Sequence, residues 1–195
     1  AILYSVVWIP ALLLSSGLAT DGTEITKPAP KATAQIQTEF PSVGECLALG
    51  GTPIGEVFRD ENGTWRCDSA RIDTPLPSGY PTPTAPGAVE LKTYPVVRRA
   101  KVEGKIAPDL ASNFGFWKLF NHIKSREIAM TSPVEMEYNI DIGAPSSRVA
   151  GWAMSFLYRT PDLGPTGISG AVVVEDEQRV TVISIGFQGG YGVKQ

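Results

Sequence analysis

Residues 116–134 (FWKLFNHIKSREIAMTSPV) change their apolar period midway, and that change limits what a chain like this can fold into. Phe116, Leu119, Phe120 and Ile123 fall at i, i+3, i+4 and i+7, which places four large apolar side chains on one face of a helix. Lys118, Asn121 and Lys124 occupy the other side. The helical period stops at Lys124-Ser125. From residue 134 onward Glu135, Glu137 and Asn139 alternate with Met136, Tyr138 and Ile140. Alternation suits a half-buried strand, because successive side chains point to opposite faces. The stretch therefore predicts one helix laid on one sheet, the two sharing a core.

Around it the pattern reads as an α+β domain with a mainly antiparallel sheet. Residues 89–106 form a strand candidate. Pro108-Asp109 opens the helix, since proline suits a first turn and aspartate a cap. Gly115 weakens the early helix. Strands are predicted at 128–140, 149–159, 171–175 and 179–187, with a turn at 143–147 and a Pro/Gly-rich loop at 160–170.

Three units are expected: 1–19, 20–88 and 89–195. Residues 2–14 (ILYSVVWIPALLL) are almost wholly apolar and precede a small-residue stretch, as in a signal peptide or the outer part of a membrane anchor. Export or anchoring to the extracytoplasmic side is weighed against a buried core helix, which Pro10 argues against. Residues 20–40 read as an extended linker around KPAPK. Asp60-Glu61-Asn62-Gly63 separates two short alternating segments and signals a hairpin. Cys46 and Cys67 flank this region. If it is exported, a disulfide closing their loop would contribute about 3 kcal/mol; in a reducing compartment they are two thiols. Residues 73–87 (DTPLPSGYPTPTAPG) mark the expected boundary with the next unit.

Charge narrows the function. Residues 1–88 carry 5 basic and 9 acidic side chains, and 89–195 carry 12 and 11. No dense basic run exists, so nucleic-acid binding has no electrostatic support. Two cysteines and one histidine do not complete a zinc set, and no CxxCH is present for covalent haem attachment.

The helix FWKLFNHI followed by IAMTSPV resembles the signature of the SOUL haem-binding family, where a K-I-A-M-T-x-P-V phrase follows such a helix. A second likeness runs from Phe156-Leu157-Tyr158 through Val172-Val173-Val174-Glu175 to Gly189-Gly190-Tyr191. The resemblance covers about residues 89–191. It implies a β-α-β-β unit repeated twice around a curved sheet. The chain stops at Gln195, where the second helix of such a domain begins, so either it is a fragment, which the need to cover the sheet favours, or the domain is a reduced version. It also implies a shallow apolar groove on the outer side of the first helix, holding haem or a related tetrapyrrole without covalent attachment, for carriage or buffering.

Carried over by position, the groove candidates are Trp117, Lys118, Asn121 and His122. His122 is also the candidate axial ligand. A helical wheel puts it at the edge of the polar face, where a bystander is the plainer reading. The short link Ser125-Arg126-Glu127 leaves less chain to wall such a groove than the family's longer ones. Met130, Met136 and Met154 read as core fillers rather than iron ligands. Two other functions stay open. Glu135, Glu137 and Tyr138 would serve a small-molecule enzyme, marked by a buried carboxylate with a raised pKa in a cleft. An envelope interaction module would use the Cys46/Cys67 hairpin as its contact surface.

Overall fold

The computed structural model describes residues 2–5, 40–105, 108–141 and 148–188, with side-chain surroundings for most of them. In chain order the elements are β1 (Ile2–Ser5), β2 (Cys46–Gly51), β3 (Phe58–Arg59), β4 (Trp65–Cys67), β5 (Ala70–Ile72), β6 (Ala88–Tyr94), β7 (Val97–Gly104) and α1 (Pro108–Lys124). Then follow β8 (Val134–Asp141), β9 (Arg148–Leu157), β10 (Gly167–Ser169), β11 (Val172–Glu177) and β12 (Val180–Gln188). All strand pairings between these elements are antiparallel. They build a four-stranded sheet (β1-β12-β6-β2), a five-stranded sheet (β10-β11-β7-β9-β8) and a small three-stranded sheet (β3-β4-β5). At this level the architecture is α+β.

The strand expected over 89–106 is two strands in two sheets. Pro95 lacks the N–H that a ladder needs, and the strand breaks at Pro95-Val96. The partner strand breaks opposite it, at Gln178-Arg179. Tyr94 faces Val180 and Val97 faces Glu177, a step of three residues on each strand, so the register carries through the break unchanged. One long ribbon thus belongs to both large sheets. A step of three in a flat strand would point Tyr94 and Val97 to opposite faces. Here both line one cleft. Residues 128–133, expected as strand, precede β8 and are not extended into the sheet.

The predicted helix face is the one that packs. Leu119 and Ile123 are buried with Ala100 and Val102 of β7, Trp152, Met154 and Phe156 of β9, Tyr158 just beyond it, and Val172 and Val174 of β11. Phe116 and Phe120 seal the margin, and Phe116 meets Phe156 edge-on at 5.2 Å between ring centroids. Met154 is buried in this core and Met130 and Met136 pack against it, as expected of fillers.

The hairpin at 60–63 forms. The Asp60 carbonyl accepts from Gly63 N–H, Asp60 N–H donates to Thr64, and Gly63 takes φ +79°. That is a three-residue loop with the glycine in the left-handed position. The expected disulfide is not there: Cys46 is an exposed thiol on β2 and Cys67 is buried in the small sheet, its thiol directed at the Ile54 carbonyl. The two cysteines sit on separate sheets, which sequence spacing does not reveal.

Residues 73–87, expected to separate one unit from the next, form a strap tied across the ribbon. Ser132 N–H donates to Pro75, Ser78 N–H to Arg159, and the Thr84 and Ser184 hydroxyls bond at 2.7 Å. Pro86 bridges to Gly186. A Cβ at Gly186 would collide with the Ala85 carbonyl, so only glycine lets the strap lie this close. Residues 46–51 likewise join the sheet, because β2 pairs with β6. Of the apolar N-terminal run, residues 2–5 pair with the edge of β12 as β1, and residues 6–39 lie outside the described residues. The expected turn at 143–147 and Gly189-Gly190-Tyr191 also lie outside them.

Candidate functional site

Two surfaces carry chemistry, one on each side of the five-stranded sheet. The first is the outer flank of α1. Trp117, Lys118 and Asn121 all face outward there, and Trp117 is 58% exposed. Phe114, three residues before Trp117 and 73% exposed, completes an i, i+3, i+4, i+7 stripe that mirrors the buried one. Sequence reasoning passed over Phe114, although its spacing from Trp117 was visible. The Trp117 ring stands edge-on to Phe116 and Phe120, at 5.7 Å from each, which holds it against the packed aromatic margin.

His122 is not on that flank. It is 6% exposed, and its Nε2 shares a 3.1 Å hydrogen bond with the Tyr158 hydroxyl. The short link folds back over it: Ser125 Oγ and Arg126 Nη1 both donate to the His122 carbonyl. Burial, aided by the Arg126 charge, lowers its pKa and keeps the ring neutral. The wheel placed it at a rim because a wheel contains only the helix. The link and Tyr158 turn that rim into interior.

The second surface is the sheet face away from α1. Arg99, Lys101, Glu135, Glu137, Glu175 and Glu177 converge there. Arg99 is 5% exposed. Its Nη1 lies 2.5 Å from Glu137 and 3.9 Å from Glu135, and its Nη2 lies 2.9 Å from Glu175 and 2.6 Å from Glu177. Lys101 bridges Glu175 at 2.8 Å and Glu103 at 3.1 Å. Burial works against the Arg99 charge, but the carboxylates outweigh it and its pKa is raised.

Beside this network opens a cleft split by an edge-on pair, Tyr80 of the strap and Tyr94 of β6, 4.9 Å apart. Leu76, Pro81, Pro83 and Pro133 wall one side, Val97, Val180 and Val182 the other, and Glu135 reaches both. The larger half is about 360 Å³, part of it open to solvent. Burial, above all, pushes the Glu135 carboxyl up to about 7, with Glu137 and Glu177 adding to it against the pull of Arg99. The Tyr80 hydroxyl bonds to it, and burial raises the pKa of both tyrosines. Glu137 is thus tied to Arg99, and Tyr138, 40% exposed, follows it on the strand and points to the other face.

Among the described residues no group of three or more His, Cys, Asp or Glu side chains is arranged to hold a metal ion, and no helix is long and apolar enough to cross a membrane. Comparison with protein-family models, with curated proteins and with solved structures gives no match to this chain.

Proposed function

We propose that this chain is a non-covalent binding domain for a flat, apolar guest of the tetrapyrrole class, haem among them, received on the outer flank of α1. The observation that carries this reading is the solvent-exposed aromatic stripe of Phe114 and Trp117 above a helix whose other face is already satisfied by its sheet. Exposed aromatic side chains at helical spacing make a platform on which a macrocycle is removed from water. Lys118 stands on the same flank, where a propionate would meet it at the surface.

The fit is to the macrocycle face. The flank offers stacking area and a cation, and His122 in its present position faces Tyr158 instead. Haem bound there would bring its own redox chemistry, while this chain's residues would bind and orient it. In this reading β7-α1-β8-β9 is one β-α-β-β unit and β11–β12 begin a second.

Acid–base chemistry at Glu135 is favoured by its raised pKa. Such chemistry works through pairs of groups split around neutrality. The other titratable groups that line the cleft are the two tyrosines, pushed away from neutrality, and Glu177. A binding role suits the cleft better.

The deciding experiment is a haem titration followed at the Soret band. Wild type should give a saturable shift, and Trp117→Ala should weaken it at least tenfold while the circular dichroism stays unchanged. An unchanged Soret band in wild type, or equal binding by the variant, would remove the proposal.

A further inference from the structure

We infer that the cleft between the strap and the break in the ribbon is a binding site for a small organic cation, an ammonium group with a short apolar body, seated on Glu135 beside the Tyr80–Tyr94 pair. The inference is independent of the α1 flank, which lies on the other side of the sheet.

Two observations carry it. The walls are apolar and aromatic, supplied by Leu76, Pro81, Pro83, Pro133 and the two tyrosines. Tyrosine faces and edges around a carboxylate are the surroundings in which an alkylammonium is held, by its charge at one end and its methylenes at the other.

The charge balance also points to a cation. On this face Arg99 and Lys101 are shared among Glu103, Glu135, Glu137, Glu175 and Glu177. Arg99 spends its closest contacts on Glu137, Glu175 and Glu177, and Glu135 is left at 3.9 Å. Glu135 is therefore the carboxylate least served by Arg99, and it is the one that lines both halves of the cleft. Lys92 of β6 turns to Glu90, at 3.1 Å, and to the Thr82 carbonyl.

Near neutrality a proton relieves the excess charge at Glu135. The groups facing it are Arg99 of β7, Glu137 of β8, Glu177 of β11, Tyr80 of the strap and, across the cleft, Tyr94 of β6. Among them Glu137 and Glu177 disfavour a further negative charge, and Arg99 is already committed to them. An ammonium would relieve the same excess, so cation and proton compete. Binding then strengthens as pH rises through about 7, with a proton released.

The test is an amide NMR titration of the whole chain with n-butylammonium chloride at pH 6 and pH 8, with sodium butyrate as the anionic control. The alkylammonium is charged at both pH values. The expected result is saturable shifts at Tyr80, Tyr94, Glu135 and Val180, with an apparent Kd about tenfold tighter at pH 8, the ratio of ionised Glu135. Glu135→Gln should bind weakly and equally at both pH values. Butyrate binding as well as butylammonium, shifts located elsewhere, or affinity indifferent to pH in wild type would each overturn the inference. The wild-type comparison decides it even if the variant fails to fold.

Discussion

His122 Nε2 and the Tyr158 hydroxyl lie 3.1 Å apart, joining the last turn of α1 to the end of β9 inside the core. Both residues are buried, so each supplies the partner that the other would otherwise lack. Tyr158→Phe removes one partner and leaves a buried ring nitrogen unsatisfied. The expected cost is about 1–3 kcal/mol in urea denaturation at pH 7.5. His122→Phe in the Tyr158→Phe background removes both polar groups and should recover some of that loss. A double variant no more stable than Tyr158→Phe alone would mean that the hydrogen bond is not what couples the two residues.

The two flanks of α1 should separate cleanly in mutational data. Leu119 is fully buried against the sheet, and Leu119→Ala is expected to cost about 2–5 kcal/mol by loss of packing and creation of a cavity. Trp117→Ala removes a side chain that is more than half exposed and should change stability by less than about 1 kcal/mol. Thermal denaturation of both variants checks this. Equal losses would place Trp117 in the core and remove the surface on which the guest is proposed to sit.

Arg99 is the counter-charge at the centre of a face where glutamates outnumber the two cations, Arg99 and Lys101. Arg99→Ala would leave Glu135, Glu137 and Glu177 without their shared cation and should cost about 3–5 kcal/mol at pH 8. Lowering the pH to 5 should return some of it, because Glu135 is then protonated. A loss that is the same at both pH values would show that Arg99 acts through packing of its stem alone.

Local periodicity made some of this legible. The four residues of the helix stripe and the alternation around Glu135 follow from spacing alone, and both are found as read. The hairpin at Gly63 follows from a glycine that takes a positive φ. What escaped depends on partners distant in sequence. Nothing near His122 announces that Tyr158 will face it. Nothing near Arg99 announces that β8 and β11 will each bring two glutamates to it, although the alternation placed each pair on one face. Gly115 looked like a weak point in the helix. A Cβ there would stand 3.0 Å from the Trp152 ring, so the glycine lets the helix approach that ring. The proline run at 73–87 resembled a spacer because composition alone does not show what a segment is tied to. Its bonds to Ser132, Arg159 and Ser184 reach strands and turns far along the chain.

Two buried groups give stability a pH dependence of opposite sign. His122 has a lowered pKa in the folded chain, so below about 6.5 the unfolded chain binds the extra proton. Its contribution is present above that pH and lost as pH falls through it. Glu135 has a pKa raised to about 7 from 4.5, so between those values the folded chain holds the proton. Its contribution is present at pH 4.5 and below, and is lost as pH rises to 7. In wild type the two slopes partly cancel, and a single pH profile would hide both. Glu135→Gln removes one of them. The difference in unfolding free energy between variant and wild type should therefore be small near pH 4.5, grow through pH 7 and level off above it. The variant should end about 2 kcal/mol more stable, a figure reduced from the full shift because Glu135 keeps some contact with water. His122 is common to both proteins and drops out of the difference. A flat difference curve from pH 4.5 to 8 would mean that Glu135 titrates as an ordinary surface carboxylate, and the case for a cation taking the place of its proton would go with it.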